Sequence, residues 1–216
     1  DTVQFILPGQ RLKTPVSDCL MVYLIFPLLG YLVGSISSAV LVCKLLGLPD
    51  PRHEGSGNPG ATNVLRLGSK PGAALTLAGD VLKGVVPVLA ARWLSDDSLV
   101  ISLAALAAFL GHLFPVFFRF HGGKGVATAL GLFAAISPLL ALMLVATWLA
   151  VALVFRFSSL AALVSAILAP VYAWWIPGQP DYALLALVLA LTLFWRHRDN
   201  IRRLLNGTES RIGKRT

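Results

Sequence analysis

Residues 126–155, VATALGLFAAISPLLALMLVATWLAVALVF, form an uncharged run of thirty with a Ser-Pro step, Ser137–Pro138, near the middle. As one helix the run would be about 45 Å long at roughly 1.5 Å per residue, against a hydrocarbon core of about 30 Å. How the run is divided sets the parity of the whole chain. Further apolar segments lie at about 20–47, 71–94, 98–118, 158–176 and 182–195. Between and after them lie three segments rich in basic residues: the loop 48–70, FRFHGGKG at 118–125, and RHRDNIRR at 196–203. Loops enriched in Lys and Arg stay on the cytoplasmic side of a membrane protein. For all three to share that side, the chain must cross an even number of times between 125 and 196. Counting 126–155 as one helix gives three crossings, whereas dividing it at Pro138 gives four. The expectation is an all-α polytopic membrane protein with seven transmembrane helices, one of them short (126–136). Its N-terminus is outside and its C-terminus inside. A proline that only kinks a continuous helix is the alternative.

Composition agrees with this class. Of 216 residues, 56% are hydrophobic and 13% are charged, and the mean hydropathy is +0.77, which excludes an ordinary water-soluble domain. The two cysteines, Cys19 and Cys43, flank one apolar stretch and would stand about 36 Å apart on a helix, so no disulfide joins them. Residues 1–20 read as an N-terminal extension or an expression remnant, with Met21 as the candidate native start. Residues 21–205 read as one transmembrane domain and 206–216 as a cytoplasmic tail. The net charge of +8 fits membrane topology before it fits nucleic acid or anionic lipid. In the first span, Gly30 and Gly34 form a GxxxG pair followed by Ser35, Ser37 and Ser38, a pattern that lets helices pack closely in lipid.

GSGNPGATN at 55–63 has the glycine spacing of a dinucleotide-binding loop, with Asp80 downstream. That motif works only between a buried strand and a helix. Here a membrane helix precedes it, Pro59 sits inside it, and Asp80 lies in an apolar span. HGGKGVAT also departs from a P-loop, because Gly125 follows Lys124 where Ser or Thr should stand. No nucleotide is expected. Both loops are nevertheless suited to anions, since successive glycines let backbone N–H groups converge and each loop runs into a helix N-terminus. In the first, Ser56, Gly57 and Gly60 shape the loop and Asn58, Thr62 and Asn63 offer neutral donors. Arg52, Arg66 and Lys124 supply positive charge. Ordinary turns are the competing reading.

Three ionisable residues fall inside the spans. Asp80 and Lys83 share a helix face, as a structural ion pair or as the lining of a cavity, and His112 lies one turn before the membrane surface, in packing or in chemistry. No metal-ligand spacing is present, and no cofactor is expected.

In order along the chain stand GSISSA (34–39) continuing to DPRHEGSGNPGATNVLR (50–66), GHLFPVFFRFHGGKGVAT (111–128) and RHRDNIRRLLNGTE (196–209). On these motifs the chain from about Met21 to Arg211 resembles the bacterial membrane acyl-phosphate:glycerol-3-phosphate acyltransferase family, which makes lysophosphatidic acid at the first step of phospholipid synthesis. The resemblance implies essential roles for Ser35 and Arg52. It makes Gly122, Gly123, Lys124 and Gly125 a glycerol 3-phosphate loop, with His197 and Asn200 as an important pair and Glu209 as a structural residue. It implies acyl phosphate and glycerol 3-phosphate as partners, with membrane lipid around the protein and no nucleic acid. The expected location is the bacterial inner membrane, with the active site on the cytoplasmic side and a monomer as the expected state. His121 stands where the family often has Lys, and Ser37 where it often has Pro.

Catalytic roles are expected for Ser35, Arg52, Lys124 and His197. Substrate contacts are expected from the two glycine loops, Asn200, Lys83 and His112, and a structural role from Asp80 and Glu209. The acyl donor is already activated, so direct transfer in a phosphate clamp is expected, with the proton passing to the leaving phosphate. His197 or His112 as general base is the competing mechanism. No Ser-His-Asp order or GxSxG elbow is present. An anion transporter or channel is the alternative function, although its charges would have to form a path and no repeated half is visible.

Overall fold

A computed structural model describes residues 3–7, 10–14 and 16–213, with side chains described from Met21 to Gly213. Near the N-terminus, β1 (Val3–Leu7) and β2 (Gln10–Thr14) pair antiparallel with Val3 opposite Thr14. The side chain of Cys19, on which the disulfide argument drew, lies outside the described residues. Among the described residues every other element is helical, and five segments are long and apolar enough to cross a bilayer: Met21–Leu45, Lys70–Leu94, Ser98–Phe118, Pro138–Phe155 and Ser158–Trp175. The chain divides into two compact units, Asp1–Ala135 and Ile136–Thr216.

In the first unit, α1 (Val16–Gly34) and α2 (Ser38–Leu45) make up the first span. That span was expected to be continuous, yet it breaks at 35–37. The cause is tertiary, since no proline stands at the break. A Cβ on Gly34 would meet the Ala108 carbonyl oxygen, and one on Gly111 would meet the Tyr31 carbonyl oxygen. The helix therefore lies backbone to backbone on α5 (Ser98–Leu113) up to the break. This is the close approach that small residues permit.

The loop that follows contains a helix the sequence did not suggest, α3 (Ala61–Arg66). Its Val64 is buried with Ala39 and Cys43 against Leu48, Leu67 and Ala73. Next comes α4 (Lys70–Leu94), opened by Ser69, whose Oγ accepts from Gly72 N at 3.0 Å, with Pro71 in the first turn. Both are standard helix-start chemistry. Asp97 opens α5 in the same way, accepting from Leu99 N at 2.8 Å. The unit ends in α6 (Val126–Ile136), which packs closely on α4. A Cβ on Gly84 would meet the Thr128 carbonyl oxygen, and one on Gly131 the Val81 carbonyl oxygen.

The run 126–155 does divide. Ser137 adopts extended backbone and accepts from Leu140 N at 3.4 Å, and Pro138 opens α7 (Pro138–Phe155). The Ser-Pro step is thus an N-cap followed by a first-turn proline. In the second unit, α7 ends on Arg156 in left-handed conformation, whose N–H returns to the Ala152 carbonyl at 3.0 Å. The unit continues through α8 (Ser158–Trp175), α9 (Pro180–Arg196) and α10 (Arg198–Leu205). Ala162, Ala166, Ala169, Ala186 and Leu189 are among its buried residues.

Candidate active site

Two glycine-bearing loops meet in the first unit. Asn63 organises one of them: its Nδ2 donates to the carbonyls of Pro51 (2.8 Å) and Glu54 (2.9 Å), and its Oδ1 accepts from Ser56 N (2.9 Å). Asn63 is 1% exposed, so its amide holds the loop in shape from beneath. Gly55 and Gly57 turn through positive φ, while Ser56 and Thr62 are exposed and Asn58 and Gly60 half-buried.

Arg52 projects from the same loop. Asp50 grips its guanidinium, accepting from Nε at 3.0 Å and from Nη2 at 2.6 Å, and also accepts from the Arg52 main-chain N–H at 2.9 Å. The guanidinium lies 5.9 Å from the Phe118 ring centroid, within cation–π range. Hydrogen bonds from Arg52 hold the Asp50 carboxyl below the usual carboxylate range, so the pair is ionised at neutral pH. Asp50 and Phe118 were not among the expected site residues. The Asp-Pro-Arg spacing was the available signal for Asp50, and nothing local pointed to Phe118.

The second loop, 121–125, wraps the end of α5. Gly123 N donates to the His112 carbonyl at 3.2 Å. A Cβ on Gly123 would strike His112 Nε2 and come within 3.2 Å of the Pro59 carbonyl oxygen. The two loops therefore touch where Gly123 faces Pro59. Gly122 lies against the His112 and Leu113 carbonyls, and Gly125 combines a φ of +88° with contact to the Phe109 ring. Only glycine suits that last position. Half-buried Lys124 sits between buried Gly123 and Gly125. Just upstream, Arg119 (φ 54°) and Phe120 (φ 60°) are two consecutive left-handed residues, a costly conformation for side chains of that size.

Ser35 lies in the break between α1 and α2. It is fully buried, and its Oγ accepts from Val116 N at 3.3 Å. The break is thereby tied to the segment that leads into the second loop. Tyr31 adds a second tie, its hydroxyl donating to the Phe114 carbonyl at 2.7 Å.

Asp80, Lys83 and His112 form one cluster. Lys83 Nζ is 2.8 Å from Asp80 Oδ1 and donates to the Ile36 carbonyl at 3.0 Å, and His112 Nδ1 is 3.6 Å from the same Asp80 oxygen. Their side chains are 5–6% exposed. The cluster thus lies beneath the glycine loops with almost no open surface.

In the second unit, His197 is buried and its Nδ1 lies 2.8 Å from the Leu193 carbonyl. Asn200 Nδ2 donates to Glu209 Oε1 at 2.7 Å, Ser159 Oγ donates to the same oxygen at 2.8 Å, and Arg203 Nε donates to Oε2 at 2.7 Å. Glu209 thus fastens the C-terminal segment to α10 and to the start of α8.

A family model described as glycerol-3-phosphate acyltransferase matches residues 24–207. A protein of that description from Thiobacillus denitrificans is 59% identical over 201 residues, covering 91% of this chain and all of the relative. One from Vibrio vulnificus is 54% identical over 188 residues, 87% of this chain and 92% of the relative. Two crystal structures of PlsY (YgiH), an integral membrane glycerol 3-phosphate acyltransferase, are also similar. The glycerol 3-phosphate form is 43% identical with a TM-score of 0.83, covering 88% of this chain and 96% of that one. The lysophosphatidic acid form is 42% identical with a TM-score of 0.81, covering 88% and 95%.

Proposed function

The chain belongs to the glycerol-3-phosphate acyltransferase family, and from that membership we propose its acyl donor, its mechanism and the side of the membrane on which it works. The reaction is acylation of glycerol 3-phosphate to lysophosphatidic acid. The donor is a fatty acyl phosphate, whose chain lies among the apolar helices while its head meets the soluble acceptor at the cytoplasmic rim. The glycerol 1-hydroxyl oxygen attacks the acyl carbonyl carbon, a new ester C–O bond forms, and the bond from carbon to the phosphate oxygen breaks. Phosphate leaves carrying the hydroxyl proton, so no side chain has to accept it.

The single observation that supports this reading is the meeting of the two glycine loops at Gly123 and Pro59, each loop bearing a basic residue, Arg52 or Lys124. Two phosphate-bearing substrates repel one another unless fixed positive charge and N–H donors lie between them. Asp50 holds Arg52 by Nε and Nη2, which leaves the rest of the guanidinium fork for phosphate. Ser35 and Asn58 serve as neutral donors, and Gly122 and Gly125 let the second loop pack on the end of α5. Asn63 acts by shaping its loop. His197 and Asn200 are assigned to phosphate binding by the motif that carries them.

The topology proposed is seven transmembrane helices, N-terminus out and C-terminus in, in the bacterial inner membrane. It is supported by the basic loops and by the separate short helix α6 before Ser137. The test is an assay of purified protein in detergent with acyl phosphate and radiolabelled glycerol 3-phosphate. Lysophosphatidic acid and phosphate should form in equal amounts. A transporter would form none, with or without a sealed vesicle, and a different donor class would show itself as turnover with acyl thioester but not with acyl phosphate.

A further inference from the structure

A buried chain of contacts joins the break in the first span to the second glycine loop. At one end is the carbonyl of Ile36, inside the break, which accepts from Lys83 Nζ at 3.0 Å. Lys83 then meets Asp80 at 2.8 Å, and Asp80 faces His112 Nδ1 at 3.6 Å. His112 presents Nε2 to the Cα of Gly123, and its carbonyl accepts from Gly123 N at 3.2 Å. Lys83, expected to touch substrate, directs its ammonium at the Ile36 carbonyl and Asp80, and its side chain is 6% exposed.

A charged pair at this depth is an expensive way to hold two helices together, because apolar residues of similar volume often do so as well or better. What an apolar pair cannot supply is a donor for a carbonyl in an interrupted helix. The neighbour of that carbonyl is Ser35, whose hydroxyl holds Val116 N. We propose that Lys83 and Asp80 are positioning residues: Lys83 fastens the helix break through the Ile36 carbonyl, Asp80 fixes Lys83, and the pair thereby sets Ser35 against the glycine loop that His112 supports. The inference rests on the reading of Ser35 and the 122–125 loop as the active site.

A double-mutant cycle between Lys83→Met and Ser35→Ala tests it, with the charge-neutral pair Asp80→Asn/Lys83→Met run alongside as the variant that leaves no lone buried charge. Lys83→Met should lower kcat by about tenfold or more with KM for glycerol 3-phosphate within about threefold. In the Ser35→Ala background the same change should cost less than about threefold, because the two residues act on one element. Hydrogen exchange over residues 33–41 should rise in both Lys83 variants, a readout that needs no turnover. Multiplicative losses, a tenfold rise in KM with kcat unchanged, or unaltered exchange over 33–41 would each overturn the inference. If wild type makes no lysophosphatidic acid, the proposed reaction fails, and the exchange result alone decides whether Lys83 holds the break.

Discussion

In the proposed site, Arg52 and Asn63 divide phosphate binding from the shaping of one loop. Arg52 is the outward charge, and Asp50 restricts it to one orientation through two guanidinium nitrogens. Asp50→Asn keeps the side chain's volume but removes the ionic partner. Hydrogen bonds to charged groups contribute about 1.5–3 kcal/mol, so kcat/KM should fall by about one to two orders of magnitude. Arg52→Lys should fall further, because an ammonium cannot reproduce the fork held between carboxylate and phosphate. Steady-state kinetics on the three proteins checks this ordering. Asn63→Ala removes three hydrogen bonds, one buried and two partly buried, at about 1 kcal/mol each. Its main effect should be a lower Tm in detergent by several degrees, together with a higher KM. At this scale the sequence was informative about residue type and silent about partners. The DPR spacing left Asp50 visible in hindsight, whereas the Ile36 carbonyl, a main-chain group in an apolar run, had no signature at all.

At the scale of elements, the two helix breaks differ in how far they could be foreseen. Ser137–Pro138 is written locally, as a capping hydroxyl followed by a residue that lacks an N–H and fits a helix start. The break at Ser35–Ser37 depends on Gly34 lying on Ala108, on Val116 N and on Lys83, all distant in sequence, and so a continuous span was expected there. The short helices α3 and α10 were missed for a related reason. Too brief to be stable alone, they exist because Val64 and Asn200 are buried against the rest of their own units.

The C-terminal segment gives a pH prediction. Burial pushes the Glu209 carboxyl up, but hydrogen bonds from Asn200, Ser159 and Arg203 outweigh it and hold it below its ordinary value of 4.5. A carboxylate with a depressed folded pKa contributes stability that is complete above the unfolded pKa and lost as pH falls through the folded value. Thermal unfolding measured from pH 7 to pH 3 should therefore weaken more steeply below about pH 4.5 in wild type than in Glu209→Gln. At pH 7 Glu209→Gln should already melt lower. Equal slopes would show that Glu209 holds nothing by its charge.

For the whole molecule, the membrane class was legible from hydropathy, because a bilayer constrains segment length more tightly than water does, and loop charge adds a proposed sidedness. The sidedness that follows is testable one loop at a time. With Cys19 and Cys43 replaced by Ser, a cysteine at Asp96 should react with an impermeant thiol reagent in intact cells. Cysteines at His121 and Asn206 should react only after permeabilisation. Labelling of Asn206 from outside would reverse the proposed orientation of the tail.

The central claim is direct acyl transfer between two anions, and rapid mixing of purified protein with acyl phosphate, first alone and then with glycerol 3-phosphate, tests it most directly. Phosphate should appear only after the acceptor is added, and then in step with lysophosphatidic acid. A burst of phosphate equal to the enzyme before the acceptor arrives, or no lysophosphatidic acid after it, would contradict the account.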